Sequence, residues 1–211
     1  MTRPPEAALD LTLSRLSSPI GDILLVTDPD GVVRALDFHD YEPRMLRLLN
    51  RHYPRFTLTT GKAPPSAAGA IDAYFGGDAM ALQTLAIEIG GTDFQRAIWR
   101  ALRTIPAGQT WTYGRLATVI GRPAAVRAAG LANGANPIAL IVPCHRVIGA
   151  NGALTGYAGG MERKAWLLAH EARVASTGIA ARPPAFSKAR ARTPDPRAAA
   201  HRPCAPPSAR R

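Results

Sequence analysis

Five apolar residues in a row, Ile138–Val142, stand between Pro137 and Pro143, and no apolar run in the chain is longer. A bilayer-spanning helix needs about 20 such residues. The N-terminus also lacks the basic-then-apolar order of a secretory signal, so a cytoplasmic chain with no membrane partner is expected. A short apolar run bounded by turn formers reads as a buried strand, around which the rest must pack. At 46% hydrophobic over 211 residues, the chain can supply that packing as one compact domain or two small ones. The run delivers Pro143-Cys144-His145-Arg146. The other cysteine, Cys204, lies far away in a different context, so a reduced thiol is expected rather than a disulfide framework.

Charge divides the chain in three. Residues 1–91 carry 8 basic and 11 acidic side chains, 92–171 carry 9 and 3, and 172–211 carry 9 and 1, for a net charge of +11 overall. A polyanion surface is therefore expected in the middle segment. From Arg173 onward Ala, Pro and Arg dominate with few large apolar residues, so residues 172–211 are expected to be a disordered tail in which Cys204 is dispensable.

The front segment alternates short strands and turns. Leu11, Leu13 and Leu16 precede a turn, Ile23–Val26 is an apolar strand, Asp28-Pro29-Asp30-Gly31 is a strong turn, and Val32–Phe38 is the hairpin partner. Met45, Leu46, Leu48 and Leu49 recur at helical spacing after Pro43, and Ala67–Phe75 predicts a second helix. His39 and His52 have no partner at metal-ligand spacing. This half reads as scaffold.

In the middle segment Thr92 caps a helix running to about Thr104. Thr112 caps another, Tyr113–Ile120, with Leu116, Val119 and Ile120 expected inward. After Gly121-Arg122-Pro123, residues Ala124–Asn133 predict a third helix. The last two form a helix-turn-helix outline whose small residues suit either approach to a groove or tight helix packing. For Cys144 the choice is between a packed thiol and a nucleophile, which needs a base within reach. His145 is the candidate base, although neighbours on an extended strand point to opposite faces. Of the nearby carboxylates Asp93, Glu162 and Glu171, the favoured orienting group is Glu171, at the end of a helix Met161–His170.

Pro143-Cys144-His145-Arg146-Val147, preceded by Asn136-Pro137 and followed by Gly156-Tyr157-Ala158-Gly159-Gly160, resembles the O6-alkylguanine-DNA alkyltransferase family, from about Leu11 to Glu171 and most densely after Gly91. The resemblance implies an α+β fold: a ribonuclease-H-like α/β domain over residues 1–91 and a mainly helical domain with a helix-turn-helix over 92–171. It implies Cys144 as alkyl acceptor, His145 as its base through an ordered water, Glu171 as the carboxylate that polarises His145, and Asn136 as the holder of the turn. Tyr113 would press on the target phosphate and help protonate the departing guanine, and Arg127 would fill the gap left by the rotated base. Arg122, Ala128 and Gly130 belong to the implied DNA face; Val147, Tyr157, Ala158 and Gly159 line the implied guanine pocket. The implied partner is double-stranded alkylated DNA, held in the minor groove by a monomer, with cooperativity left open. No metal or organic cofactor is implied.

Thiolate attack on the alkyl carbon yields a thioether with no easy exit, so the family acts once per molecule. Ala158 stands where many relatives have Ser, and Thr112 where Ser is common. The front half has no cysteine for the structural zinc of some vertebrate relatives, and no fused regulatory domain is present, so no transcriptional role is expected. Three rivals are a non-catalytic lesion-binding relative, a helix-turn-helix regulator and a Cys-His hydrolase. Cys144 argues against the first, the side-chain-poor second helix against the second, and the basic helix-turn-helix against the third.

Overall fold

The computed structural model describes residues 8–177; the rest of the expected tail, Cys204 included, lies outside them. Asp28 builds the first hairpin. Its Oδ1 accepts from the amides of Asp30 (3.1 Å) and Val32 (2.9 Å), its Oδ2 accepts from Arg34 Nη2 (2.6 Å), and Gly31 takes the φ of +77° that the turn demands. Three strands, β1 (Leu9–Leu16), β2 (Ile23–Thr27) and β3 (Val33–Phe38), form an antiparallel meander. A fourth, β4 (Phe56–Thr60), lies parallel to β1, giving the order β3-β2-β1-β4. It carries two alternating apolar residues among three threonines and was not legible as a strand.

Every residue of β2 is buried, because both faces of the sheet are covered. On one face Leu24, Val26 and Ala35 meet Met45 and Leu49 of α1 (Glu42–His52). On the other, Ile23, Leu25, Leu36 and Phe38 join α2 (Pro65–Phe75), α3 (Asp93–Arg103) and the run Ile138–Val142 in one continuous core. The architecture is α+β, and its largest core is shared between the two halves of the chain. Thr92 starts α3 with a reciprocal capping box to Gln95. After a short strand β5 (Trp111–Thr112) come α4 (Tyr113–Val119), capped by Thr112, and α5 (Val126–Gly134). A second short strand β6 (Val147–Ile148) pairs with β5, and α6 (Met161–Thr177) closes the chain.

Several expectations need correction. Ile138–Val142 is no strand: only Ile138 bridges to Leu36, after which the chain turns repeatedly with Leu140 at φ +66°. Pro137 and Pro143 deny the flanking amides a strand would use, and burial alone does not distinguish a strand from packed turns. The second helix of the helix-turn-helix outline starts at Val126, not Ala124. Val119 points outward, 52% exposed. The last helix does not end at Glu171 but continues to Thr177, so the tail cannot begin at residue 172. Ala175 there packs over Gly108, where an added Cβ would lie 2.8 Å from it. Among the described residues no helix is long and apolar enough to cross a membrane.

Leu36, with no exposed surface, joins the sheet to the segment before Cys144. Leu36→Ala should cost about 2–5 kcal/mol, read as a lower urea midpoint at unchanged slope. A loss below about 1 kcal/mol would show that the sheet's inner face does not carry this joint.

Candidate functional site

Two consecutive tight turns deliver the cysteine. Val142 N donates to Ile138 O (3.0 Å) and Cys144 N to Val142 O (2.8 Å). Asn136 braces them from inside: its Oδ1 accepts from Ile138 N (3.0 Å), while its Nδ2 lies 2.8 Å from Val142 O and 3.1 Å from Cys144 Sγ. Residues Cys144–Arg146 then form one 3-10 turn, not an extended strand. At three residues per turn, successive side chains fan out by about 120°, so opposite-face pointing does not apply. Cys144 faces Asn136, while His145 and Arg146 both reach Glu171.

Glu171 has no exposed surface and is the acceptor at the centre of the site. Oε1 takes His145 Nε2 at 2.9 Å, Arg146 Nη2 at 2.8 Å and the Tyr74 hydroxyl at 2.8 Å; Oε2 takes Arg146 Nε at 2.8 Å and Gly108 N at 3.4 Å. Arg146 Nη1 is used on Ile105 O (2.5 Å). Burial would push this carboxyl up, but His145 and Arg146 hold it well below the carboxylate range. Burial also lowers the His145 imidazole despite the pull of Glu171, leaving it neutral at pH 7. With Nε2–H given to Glu171, Nδ1 is the acceptor left over; it is buried and takes no hydrogen bond from the described residues.

Burial pushes the Cys144 thiol up, opposed by the Asn136 amide and by the charges of Arg44 and Lys164. Lys164, itself buried, gives its Nζ to Val147 O and Thr155 O, each at 2.6 Å, and burial draws it down to about 8. It thereby ties the loop before α6 to β6. Tyr157 sets its ring edge-on to His145, 6.2 Å between centroids, with a buried hydroxyl that has no hydrogen-bond partner among the described residues. Ala158 is half-buried beside it, and Gly159 is enclosed by Phe38 and Tyr157, each 2.7 Å from where a Cβ would stand. Val147 is fully buried in the core.

Tyr113 lies at the start of α4, its ring against Gly130 of α5 and its hydroxyl 3.5 Å from Thr155 O. Arg122, Arg127 and Ala128 are exposed on the turn and the outer side of α5, apart from Cys144, and Leu131, one turn beyond Arg127, is 72% exposed.

The front half is not only scaffold. Tyr74 of α2 reaches Glu171, and Arg44 of α1 reaches Gly134 O (2.7 Å) and Asn136 O (2.9 Å) while paired with buried Asp37 at 2.6 Å. No sequence pattern announces these contacts, which join residues 90 or more positions apart. The buried charges of α6 did leave a signal: Arg163, Lys164, Leu167, His170 and Glu171 share one helical face. His39 and His52 stay apart from the site, the first 3.8 Å from Glu42 and the second edge-on to Trp99.

A family model described as the DNA-binding domain of 6-O-methylguanine DNA methyltransferase matches residues 93–173. The methylated-DNA–protein-cysteine methyltransferase of Salmonella typhimurium is 47% identical over 165 residues, covering 77% of this chain and 96% of that protein. The protein of the same name from Mycolicibacterium paratuberculosis is 50% identical over 161 residues, covering 75% and 90%. The crystal structure of Mycobacterium tuberculosis OGT in complex with DNA superposes with a TM-score of 0.65 at 41% identity, covering 77% of this chain and 94% of that one.

The Tyr74 hydroxyl draws negative charge from the Glu171 oxygen that also holds His145. Without it the carboxylate keeps the imidazole proton more firmly, so Tyr74→Phe should raise the His145 pKa in an NMR titration. It should also cost about 1.5–3 kcal/mol of stability, as a lost hydrogen bond to a charged group does. Because the native His145 lies below its ordinary value, the unfolded chain binds the proton first, and stability falls as pH drops through about 6.5 and below. An unshifted His145 titration in the variant would remove Tyr74 from the network.

Proposed function

This chain belongs to the methylated-DNA–protein-cysteine methyltransferase family, whose members carry out direct-reversal DNA repair, and we propose that its alkyl acceptor is Cys144. The observation that carries the assignment is a buried thiol 3.1 Å from Asn136 Nδ2, followed in the same turn by a histidine held 2.9 Å from a buried carboxylate. Neutral His145 offers Nδ1 as the acceptor for the thiol proton, through one water. The sulfur attacks the carbon on O6 of the alkylated guanine, the C–S bond forms as the C–O bond breaks, and the electron pair left on guanine takes up a proton so that it departs as the neutral base. Tyr113 supplies that proton and regains one from solvent, while His145 releases to solvent the proton it took from the thiol. The product is a thioether, so each molecule reacts once. No step calls for a metal or organic cofactor.

DNA is the partner, and the finer placement follows from surface shape and charge. We read the exposed side of α5, with Arg127, Ala128 and the half-buried Gly130, as the face that enters the minor groove, and Arg122 as a phosphate contact at its edge. Arg127 then fills the stack while the lesion rotates into a pocket bordered by Val147, Tyr157, Ala158 and Gly159. The Tyr157 hydroxyl, buried without a hydrogen-bond partner among the described residues, is suited to meet a polar edge of the base. Residues 1–91 are read as the ribonuclease-H-like unit and 92–171, extended through Thr177, as the unit carrying the helix-turn-helix and the acceptor. The protein acts as a monomer in the cytoplasm.

Intact-protein and peptide mass spectrometry after mixing with excess duplex bearing one O6-methylguanine should find one methyl group per molecule, on Cys144, and no further reaction. Cys144→Ser should abolish transfer and keep DNA binding, since a hydroxyl ionises far less than a thiol. Methyl on another residue, or transfer by the serine variant, would displace Cys144 from this role. Arg127→Ala should slow duplex repair by about 30-fold, the equivalent of a base-unstacking cost of about 2 kcal/mol, and leave reaction with free O6-benzylguanine unchanged. Equal losses on both substrates would exclude the wedge.

A further inference from the structure

Two clefts lie on the helices that hold the C-terminal end of α5. The larger, about 600 Å³, is lined along α3 by Arg96, Arg100 and Arg103, with Glu88 and Trp99 among its other walls. The smaller, about 250 Å³, is lined by Arg44, Arg47 and Arg51 of α1 together with Gly134 and Ala135. Both are tied to α5: Trp99 Nε1 donates to Ala132 O (2.9 Å) and Arg44 Nη2 to Gly134 O (2.7 Å).

The charges do not cancel. Arg44 is matched by Asp37, Arg96 by Asp93, and Glu88 by Arg34. Among the described residues Arg47 and Arg103 meet only backbone carbonyls, of Pro43 (3.1 Å) and Gln83 (3.3 Å). Arg51 and Arg100 are exposed, with no ion pair or hydrogen bond among the described residues. Four uncompensated arginines thus lie on the two helices that hold the end of α5. Counted along the helix, Gly134 lies about 10 Å beyond Arg127 at 1.5 Å per residue, which is about three nucleotide steps along one DNA strand.

We propose that Arg47, Arg51, Arg100 and Arg103 form a phosphate-tracking surface for the duplex that flanks the lesion, so that the front half of the chain takes part in DNA binding. The inference rests on the repair function assigned above and adds the direction in which the DNA leaves the site. Guanidinium groups with no protein anion suit phosphate, and their spread over two helices that both hold the end of α5 suits an extended backbone rather than a compact anion.

The test compares Arg51→Ala/Arg100→Ala with the parent, both carrying Cys144→Ser, in binding a duplex of about 24 base pairs that contains O6-methylguanine, at several salt concentrations. Each phosphate contact contributes about 0.9 to the slope of log K against log salt. The double variant should lose about 1.8 from the slope and, referred to 1 M salt, about 30-fold in affinity at 0.15 M salt. Arg51→Lys/Arg100→Lys should restore the slope. In the background that keeps Cys144, the alanine pair should react with free O6-benzylguanine at the parent rate. An unchanged slope and affinity in the alanine variant would overturn the proposal, as would a lysine pair no better than the alanine pair. If the parent with Cys144 transfers no methyl group from this duplex, the repair assignment fails and the proposal with it; normal transfer beside an unchanged slope overturns the proposal alone.

Discussion

Glu171 carries one negative charge in a place with no access to water, and its four hydrogen-bonding partners come from three parts of the chain. His145 and Arg146 arrive from the 3-10 turn, Gly108 from the loop after α3, and Tyr74 from α2. A carboxylate in that position is tolerable only while these donors are in place, since an unpaired buried charge costs several kcal/mol. Docking of α6, closure of the turn around Cys144 and seating of the front half are therefore one event. The same bonds that keep the charge tolerable set the tautomer of His145, so the histidine acquires its chemical role as a consequence of folding.

The arrangement also explains how a buried thiol can be both protected and usable. Burial raises the Cys144 thiol, which keeps it protonated and unreactive toward dilute electrophiles. Against this stand three local influences, the Asn136 amide on sulfur and the positive charges of Arg44 and Lys164, which favour the thiolate where it forms. None of them is mobile: Asn136 is fixed by Ile138 and Val142, Arg44 by Asp37, and Lys164 by two carbonyls. Reactivity is thus gated by what is brought against the sulfur and by proton removal toward His145. A reagent that can be used once gains from such restraint.

Much of this was legible in the sequence because it is local. The Asp28–Gly31 hairpin, the amphipathic α1 and the Thr92 cap each follow from a few neighbouring residues, and the Cys144-His145-Arg146 motif with Glu171 led to the site. Two kinds of feature were not legible. Ile138–Val142 has the composition of a buried strand, and only the loss of two proline amides and the left-handed Leu140 separate it from one. Tyr74 and Arg44 serve partners 97 and 90 to 92 residues away, and nothing near either residue says so. Buried charges on α6 fell between these cases: they share a face, but charge is ordinarily read as marking the wet side of a helix.

Summing charge along segments has the same weakness. The first 91 residues are net acidic, which placed any polyanion surface in the middle segment. In the fold several of those acids are paired: Asp22 holds Arg15, Asp28 holds Arg34, Asp37 holds Arg44, and Asp40 holds Arg163 from the other half. A paired carboxylate presents little field at a distance, because its partner cancels it within a few ångströms and salt screens the remainder. What a phosphate backbone would sense is the set of cations left over, and on α1 these are Arg47 and Arg51. The electrostatic face of this protein is decided by pairing in space, and a segment with negative net charge contributes positive surface to it.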